Sequence, residues 1–388
     1  MPWKDVKPMD EKLLFIADWK REVSNFSDLC LQYGISRKTG YKWVERYESG
    51  GLEALEEQSR RRHSHNERTP YAIEQMVVQL RQSRGTPGPK KIQAQLAERL
   101  NDEDVPCCST IHNILKRSNL IETRRRKRRV RPNGGVLQSS SLPNELWSAD
   151  YKGQFKMLNG QWCYPLTVMD NASRYLLGCE GLAGTAFEPT KKVFERLFCE
   201  YGLPERIRTD NGAPFASVGM GNLSRLSIWW IRLGIVPERI EPGKPQQNGR
   251  HERMHRTLKH SMGQPPGENM KTQQKQLNEF RQHYNEQRPH ESLAQQYPCN
   301  HYQMSAKTYP KQLPDLNYPT WFTCVKVRSS GIVYWKNRMI YVGNLLQGQP
   351  VGMEATGDGL WDVYFGPVKL GRFDESNTGK NNYLTLKV

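Results

Sequence analysis

Between Lys116 and Pro132 the chain reads KRSNLIETRRRKRRVRP, nine Lys or Arg against a single Glu. A run this dense in one sign repels itself and does not fold alone. It therefore splits the sequence into two folding problems, and the two differ in texture: helical periodicity before the run, extended segments after it. The sign is also that of the whole chain. Over 388 residues, 57 Lys plus Arg face 40 Asp plus Glu, a formal net charge of +17. Such an excess points to a polyanionic partner, nucleic acid or an acidic membrane face.

Several classes fall away. The densest apolar run, Ile228-Trp229-Trp230-Ile231, ends at an Arg and is far short of the ~20 residues that span a bilayer. The opening MPWKDVKPMD lacks the apolar stretch of a secretory leader. Eight cysteines with no CxxC argue against a disulfide framework or a cysteine zinc knuckle. These features predict a reduced, cytoplasmic protein that works at the nucleoid and has no membrane partner.

Before the basic run, two sets of short helices are expected. Glu11 to Val23 carries a broad apolar face, and Phe26-Ser27 reads as an apolar residue ahead of an N-cap, opening a helix through Leu29 to Tyr33. Gly34 supplies a turn, and Ser36 caps a third helix from Arg37 to Ser49, stopped by Gly50-Gly51. Trp43, Val44 and Tyr47 face inward there, leaving Arg37, Lys38 and Lys42 outside as candidate DNA contacts. Two helices joined at a glycine, the second basic on its outer face, suit a major groove. A helix-turn-helix domain is therefore expected over residues 1–62, the alternative being a small bundle with a solvated basic face. A second one is expected over 66–122. Its helices begin after Thr69-Pro70 (cap, then proline at the first helical position), after Pro87-Gly88-Pro89 and at Ser109. Residues 123–141 form a basic linker whose Arg124, Arg125, Arg126, Lys127, Arg128 and Arg129 suit an arm laid along phosphates.

After Pro143 the pattern turns to strands. Leu146–Tyr151, Trp162–Met169 and Tyr175–Glu180 read as a meander. A helix to Tyr201 follows, then a strand at Arg206–Thr209, a helix at Leu223–Leu233, a strand at Ile235–Ile240 and a helix from Gln247 to Lys259. Strand-strand-strand-helix-strand-helix-strand-helix predicts a mixed sheet flanked by helices over 142–262. A helical, then proline-rich, connector follows over 263–319. Short alternating strands over 320–388 suggest a small β-barrel. The chain is thus expected to be multidomain α+β.

Three carboxylates stand out. Asp150 lies within the first strand of the sheet, where Asp is normally depleted. Asp210 ends the short strand in Thr209-Asp210-Asn211-Gly212, and strand ends are where open sheets place their chemistry. Glu252 lies on the last helix, just after Pro245-Gln246-Gln247-Asn248-Gly249. With the first strand central and the fourth beside it, all three could converge. Such a hard-oxygen site suits Mg²⁺ or Mn²⁺, and two ions ~3.5–4 Å apart suit phosphodiester chemistry.

Asp150, Thr209-Asp210-Asn211-Gly212, Pro245-Gln246-Gln247-Asn248-Gly249 and Glu252 through Lys259 together resemble the core of DDE transposases and retroviral integrases. The run Asn248-Gly249-Arg250-His251-Glu252-Arg253-Met254-His255-Arg256-Thr257-Leu258-Lys259 is especially similar to single-frame bacterial insertion-sequence transposases. Gly34-Ile35-Ser36-Arg37 and Arg288-Pro289-His290-Glu291-Ser292-Leu293 are similar to them too. The resemblance implies an RNase H-like core with Asp150, Asp210 and Glu252 as metal ligands. It also implies DNA cleavage followed by strand transfer, at terminal inverted repeats and into target DNA, by a homodimer or higher oligomer. Lys259, two turns after Glu252, and Arg256, one turn after it, would steady a DNA end; the plainer reading is a Glu252–Arg256 ion pair on a solvated helix. Two departures are visible. The Asp210–Glu252 gap is longer than in the best-known members, with the surplus expected in Ser217–Ser224, and no His/Cys zinc module precedes the core.

Other functions compete. His251-Glu252-Arg253-Met254-His255 matches the H-E-x-x-H zinc-protease signature. It sits, however, on an Arg-rich helix, lacks the extended pattern (position 258 is Leu, 261 is Ser) and leaves Asp150 and Asp210 unexplained. A helix-turn-helix regulator, or an RNase H-like nuclease without strand transfer, are the remaining readings.

Overall fold

The computed structural model describes residues 8–56, 69–83, 86–121, 140–217, 219–261, 265–376 and 383–387. The chain divides into two compact units, Met1–Thr69 and Pro70–Val388. The stretch Ser59–His63, the arginines of 124–131 and most of the linker fall outside the described residues.

The first unit holds α1 (Pro8–Lys20), α2 (Phe26–Gln32) and α3 (Arg37–Gly50) around Phe15, Leu29, Cys30 and Val44. The cap of α2 is Asn25 rather than Ser27: its side-chain oxygen accepts from the Asp28 amide at 2.9 Å, and Phe26 becomes the first helical residue. Ser36 caps α3 as expected, accepting from the Thr39 amide at 3.2 Å. A Cβ at Gly40 would lie 2.6 Å from Cys30 Sγ, so glycine is what lets α3 pack this closely on α2. Arg37, Lys38 and Lys42 are exposed.

The second unit opens with α4 (Tyr71–Gln82), α5 (Pro89–Ala97) and α6 (Cys108–Arg117), packed around Val77, Leu80, Ile92, Leu96, Ile111 and Leu115. Pro70, extended at ψ 142°, is itself the cap of α4, so the expected Thr69 cap sits one residue outside. Three contacts seat this bundle on the segment that follows the core: Lys90 Nζ to Glu291 Oε1 at 2.9 Å, Gln95 Nε2 to the Gln287 carbonyl at 2.9 Å, and Tyr297 Oη to Glu98 Oε2 at 2.7 Å.

Next come β1 (Leu146–Tyr151), β2 (Phe155–Lys156), β3 (Trp162–Asp170), β4 (Leu176–Leu182), α7 (Phe187–Tyr201), β5 (Arg206–Thr209), α8 (Arg225–Arg232), β6 (Val236–Arg239), α9 (Gly249–Ser261) and α10 (Met270–Glu286). The sheet runs β2-β3-β1-β5-β6, with β4 also paired to β3. β1 is antiparallel to β3 and parallel to β5, so the first strand is central with 206–209 beside it, as expected. Period-two alternation assigns the two faces. Trp147, Ala149, Leu166 and Val168 pack with Phe194, Phe198 and Trp230 of α7 and α8. Met169, Leu176 and Cys179 pack with Met254 and Leu258 of α9 and with Leu277 and Phe280 of α10.

The tail contains β7 (Thr323–Lys326), β8 (Ile332–Trp335), β9 (Arg338–Tyr341), β10 (Pro350–Gly357), β11 (Leu360–Phe365), β12 (Val368–Asp374) and β13 (Tyr383–Leu384). The expected small barrel does not close among the described residues. The strands form two open sheets, β12-β11-β10-β7 and β13-β9-β8, over one core that includes Val333, Ile340, Val351, Phe365 and Phe373. The ladder is interrupted because β7 pairs with β10, while β8 and β9 pair with each other and β9 with β13, so no ladder among these strands joins the two sheets. Leu223, within the 217–224 segment where the surplus of the longer Asp210–Glu252 gap is expected, and Ile231 of α8 join the same cluster with Leu370. The segment between Asp210 and α8 thus packs against the tail.

Candidate active site

Strand alternation decides which side Asp150 takes. Trp147 and Ala149 enter the core under α7 and α8, so Ser148 and Asp150 occupy the opposite face, the one α9 covers. Ala149 pairs with Thr209 in the parallel β1–β5 ladder, and the next position on each chain is Asp150 and Asp210. Glu252 comes from the first turn of α9 and is exposed.

The charges of the other two carboxylates both reach Asp150. Burial pushes the Asp150 carboxyl up to about 7, helped next by the negative charge of Asp210 and further by Glu252, while the Tyr151 amide and Lys152 oppose the shift. Asp210 Oδ1 is buried and has no hydrogen-bond partner among the described residues. A buried acceptor without a donor, beside a carboxyl that resists ionisation, fits a divalent cation better than it fits a self-contained polar cluster. The Asp-Asn-Gly turn is built for the close quarters. A Cβ at Gly212 would lie 3.0 Å from Asp210 Oδ2, and Asn211 Nδ2 donates to the Ile240 carbonyl at 2.9 Å.

A second layer supports the carboxylates. Arg208, on β5, is paired with Glu238 of β6 at 3.0 Å, with side-chain exposures of 8% and 16%. Its Nη1 also donates to the Gln247 carbonyl at 3.0 Å, in the turn that launches α9. Arg250 Nη1 donates to the Asn171 carbonyl at 2.9 Å.

Behind Asp150 lies a network that sequence reading assigned only to a rival function. One donor atom each from Asp150, His251 and His255 lies within 4.8 Å of the others. His251 is fully buried; its Nδ1 is 2.8 Å from Ser148 Oγ and its Nε2 is 2.8 Å from Thr167 Oγ1. His255 Nε2 is 2.7 Å from the same Thr167 oxygen, and its Nδ1 is 3.7 Å from Asp150 Oδ2. Burial holds His251 well below its usual range, with His255 adding to it; burial and then Lys152 hold His255 down to about 3. Both imidazoles are therefore neutral. His251 has both nitrogens engaged by hydroxyls, so the helix does not offer zinc the two free imidazoles of a protease.

Asp150 and Asp210 each follow a paired position of the β1–β5 ladder and the charge of Glu252 reaches Asp150, whereas the metal-sized cluster among the described residues is Asp150, His251 and His255. Arg256 and Lys259 are exposed on α9, and no Glu252–Arg256 ion pair forms among the described residues. Arg37, Lys38 and Lys42 belong to the first unit, while Arg124, Arg125, Arg126, Lys127, Arg128 and Arg129 lie outside the described residues. Thr167, Ser148 and Arg208 were missed. Ser148 and Asp150, two polar residues at i and i+2 in an otherwise apolar strand, were the available signal for the covered face.

A mixed sheet with two aspartates on neighbouring strands, closed by a helix bearing a glutamate, is the architecture of an integrase core. Residues 140–245 and 233–298 each match the integrase core domain family, while residues 11–63 match a helix-turn-helix domain and 39–115 a homeodomain-like domain. Integrase core sequence thus spans residues 140–298, behind helix-turn-helix sequence, and the relatives include insertion-element proteins. The chain is 29% identical over 183 residues to the insertion element IS476 uncharacterized 39.2 kDa protein of Xanthomonas euvesicatoria, covering 46% of this chain and 51% of that protein. To the insertion element IS407 uncharacterized 31.7 kDa protein of Burkholderia multivorans it is 28% identical over 189 residues, covering 47% of this chain and 64% of that protein. The match thus spans between half and two thirds of these relatives. Among solved structures it resembles the HTLV-2 integrase catalytic core domain in complex with magnesium, at 16% identity and TM-score 0.30, covering 42% of this chain and 98% of that one.

Proposed function

We propose that the protein is a DNA transposase that binds the terminal inverted repeats of an insertion sequence, nicks them by hydrolysis and transfers the freed 3′-hydroxyl ends into target DNA. The observation that carries this reading is the placement of Asp150 and Asp210 at the next positions of one parallel ladder, with Glu252 close enough to raise the Asp150 carboxyl.

In this reading Asp150, Asp210 and Glu252 hold two Mg²⁺ or Mn²⁺ ions. When bound, such ions activate a water or 3′-hydroxyl and stabilise the leaving oxygen at phosphorus. The strands fix the two aspartates against the repulsion of an anionic substrate, and Arg208 fixes the start of α9 relative to β5. In the first step a water oxygen bonds to phosphorus and the P–O3′ bond breaks, leaving a 5′-phosphate and a 3′-hydroxyl. In the second, that hydroxyl bonds to a target phosphorus and displaces the target's own 3′-oxygen. No protein–DNA bond is needed, so no Ser or Tyr nucleophile is assigned. Arg256 and Lys259 steady the end beside the carboxylates. The helix-turn-helix domains at 1–62 and 66–122, with Arg37, Lys38 and Lys42, hold the repeat, and the 123–141 arm follows its phosphates. Because two ends are processed together, a dimer or larger assembly forms on DNA, at the nucleoid of the cytoplasm.

The test uses labelled duplexes carrying the short inverted repeats that flank the gene, incubated with protein and Mg²⁺ or Mn²⁺, with Asp210→Asn as control. Tip-specific nicks and joined products, absent in the variant, are expected. Binding without metal-dependent cleavage would favour a helix-turn-helix regulator, and nicking without joining would favour a nuclease.

A further inference from the structure

His255 is left over by the reaction just described, and its proton arrangement singles it out. Thr167 Oγ1 has three polar neighbours: the Asp150 carbonyl at 3.0 Å, His251 Nε2 at 2.8 Å and His255 Nε2 at 2.7 Å. The hydroxyl has one proton and two lone pairs. A carbonyl can only accept, so the proton goes to the Asp150 carbonyl. Both lone pairs then receive N–H bonds, and both imidazoles carry their proton on Nε2. This placement satisfies both nitrogens of His251, whose Nδ1 accepts from the Ser148 hydroxyl at 2.8 Å. His255 is different. Its Nδ1, an acceptor in this tautomer, lies 3.7 Å from Asp150 Oδ2, too far for a hydrogen bond, and Lys152 is the other charge that acts on the ring.

We infer that His255 Nδ1 is a neutral fourth ligand for the divalent ion that Asp150 holds, with Thr167 fixing the tautomer that aims it. This rests on the carboxylate site of the proposed function and adds a nitrogen to it. The spacing allows it: two donors each ~2.1–2.2 Å from one ion can be up to ~4.3 Å apart. His255 lies one helical turn after Glu252, so α9 delivers both to the same side. His251, whose nitrogens are both engaged, is not a ligand, which separates the two histidines of the 251–255 motif. An imidazole suits Mn²⁺ better than Mg²⁺, since hard, small Mg²⁺ favours oxygen. The nitrogen therefore biases the site toward manganese.

The experiment is Mn²⁺ binding to the full-length protein, followed by electron paramagnetic resonance with detection of nitrogen coupling and with ¹⁵N-histidine labelling to identify the nucleus. Wild type should bind Mn²⁺ with a histidine nitrogen coupled to it. His255→Gln, which can still hydrogen-bond Thr167, should retain carboxylate-bound Mn²⁺, lose the coupling and weaken Mn²⁺ at least ~10-fold while changing Mg²⁺ little. His251→Gln should keep the coupling, and circular dichroism confirms that each variant is folded. Bound Mn²⁺ that is abolished by Asp210→Asn but shows no histidine coupling in wild type would overturn the role of His255 and leave the carboxylate site standing. Coupling that survives in folded His255→Gln would overturn it as well. No Mn²⁺ uptake by wild type would overturn both readings.

Discussion

Arg208 Nη1 reaches the Gln247 carbonyl at 3.0 Å, joining the strand that ends at Asp210 to the turn that starts the helix of Glu252. The same guanidinium is ion-paired with the largely buried Glu238. One side chain thus sets the spacing between two carboxylates that are far apart in sequence.

Removing it should be costly. Arg208→Ala strands Glu238 in a low-dielectric site, and breaking such a pair by deleting one partner costs about 3 kcal/mol. Urea unfolding should record a lower midpoint with an unchanged slope. Joint substitution of Arg208 and Glu238 by apolar residues should recover most of the loss. An Arg208→Ala midpoint equal to wild type would contradict the assignment.

Metal-free stability should fall as pH rises toward neutrality. The Asp150 carboxyl is raised to about 7 in the folded chain, by burial first and Asp210 next, against ~3.9 unfolded. Between those values the folded state binds more protons. Its contribution is therefore complete below ~4 and lost as pH climbs through about 7. Thermal midpoints in chelator, wild type against Asp150→Asn, should diverge over that window and run parallel above it. Adding Mg²⁺ should restore the wild type near pH 7 and not the variant.

Chemistry and binding should separate cleanly. Asp150→Asn and Glu252→Gln are expected to abolish nicking and joining of repeat duplexes while leaving end binding intact. Glu252 is exposed, so its substitution should move stability by no more than ~0.5 kcal/mol. Gel shifts run beside the cleavage assay settle the point, and a variant that still cleaves would be the adverse result.

Lys259 and Arg256 should act as phosphate contacts. Both are exposed on α9, free of an ion pair to Glu252. Alanine at either position should weaken binding to all sequences alike and reduce the slope of log affinity against log salt by about one. An unchanged slope would return them to the role of solvated surface.

Much of this was legible in the chain. The mixed sheet, the central first strand and the neighbouring short strand followed from alternation and turn chemistry, both local signals, and so did the Ser36 cap. Failures came where distance in sequence or competition between neighbours decided. Asn25 displaced Ser27 as a cap because two capping residues flanked Phe26. β2 has two residues, too few for any pattern. The barrel expectation counted strands and could not see which ladders they join. The histidine network was invisible because Thr167 meets its partners across 84 and 88 positions. The motif containing those histidines pointed to zinc until their neighbours were known.

The seating of the second helical bundle on the segment after α10 bears on how a duplex would be measured. Lys90, Gln95 and Glu98 hold that bundle within the same compact unit as the carboxylates. In the proposed function the base pairs it grips and the bond that is cut are then related by a fixed gauge, not by a tether. Inserting one base pair between them turns the helix by about a tenth of a turn, and a whole added turn restores the phase but moves the bond by ~34 Å, so cleavage at the repeat tip should be lost in both cases.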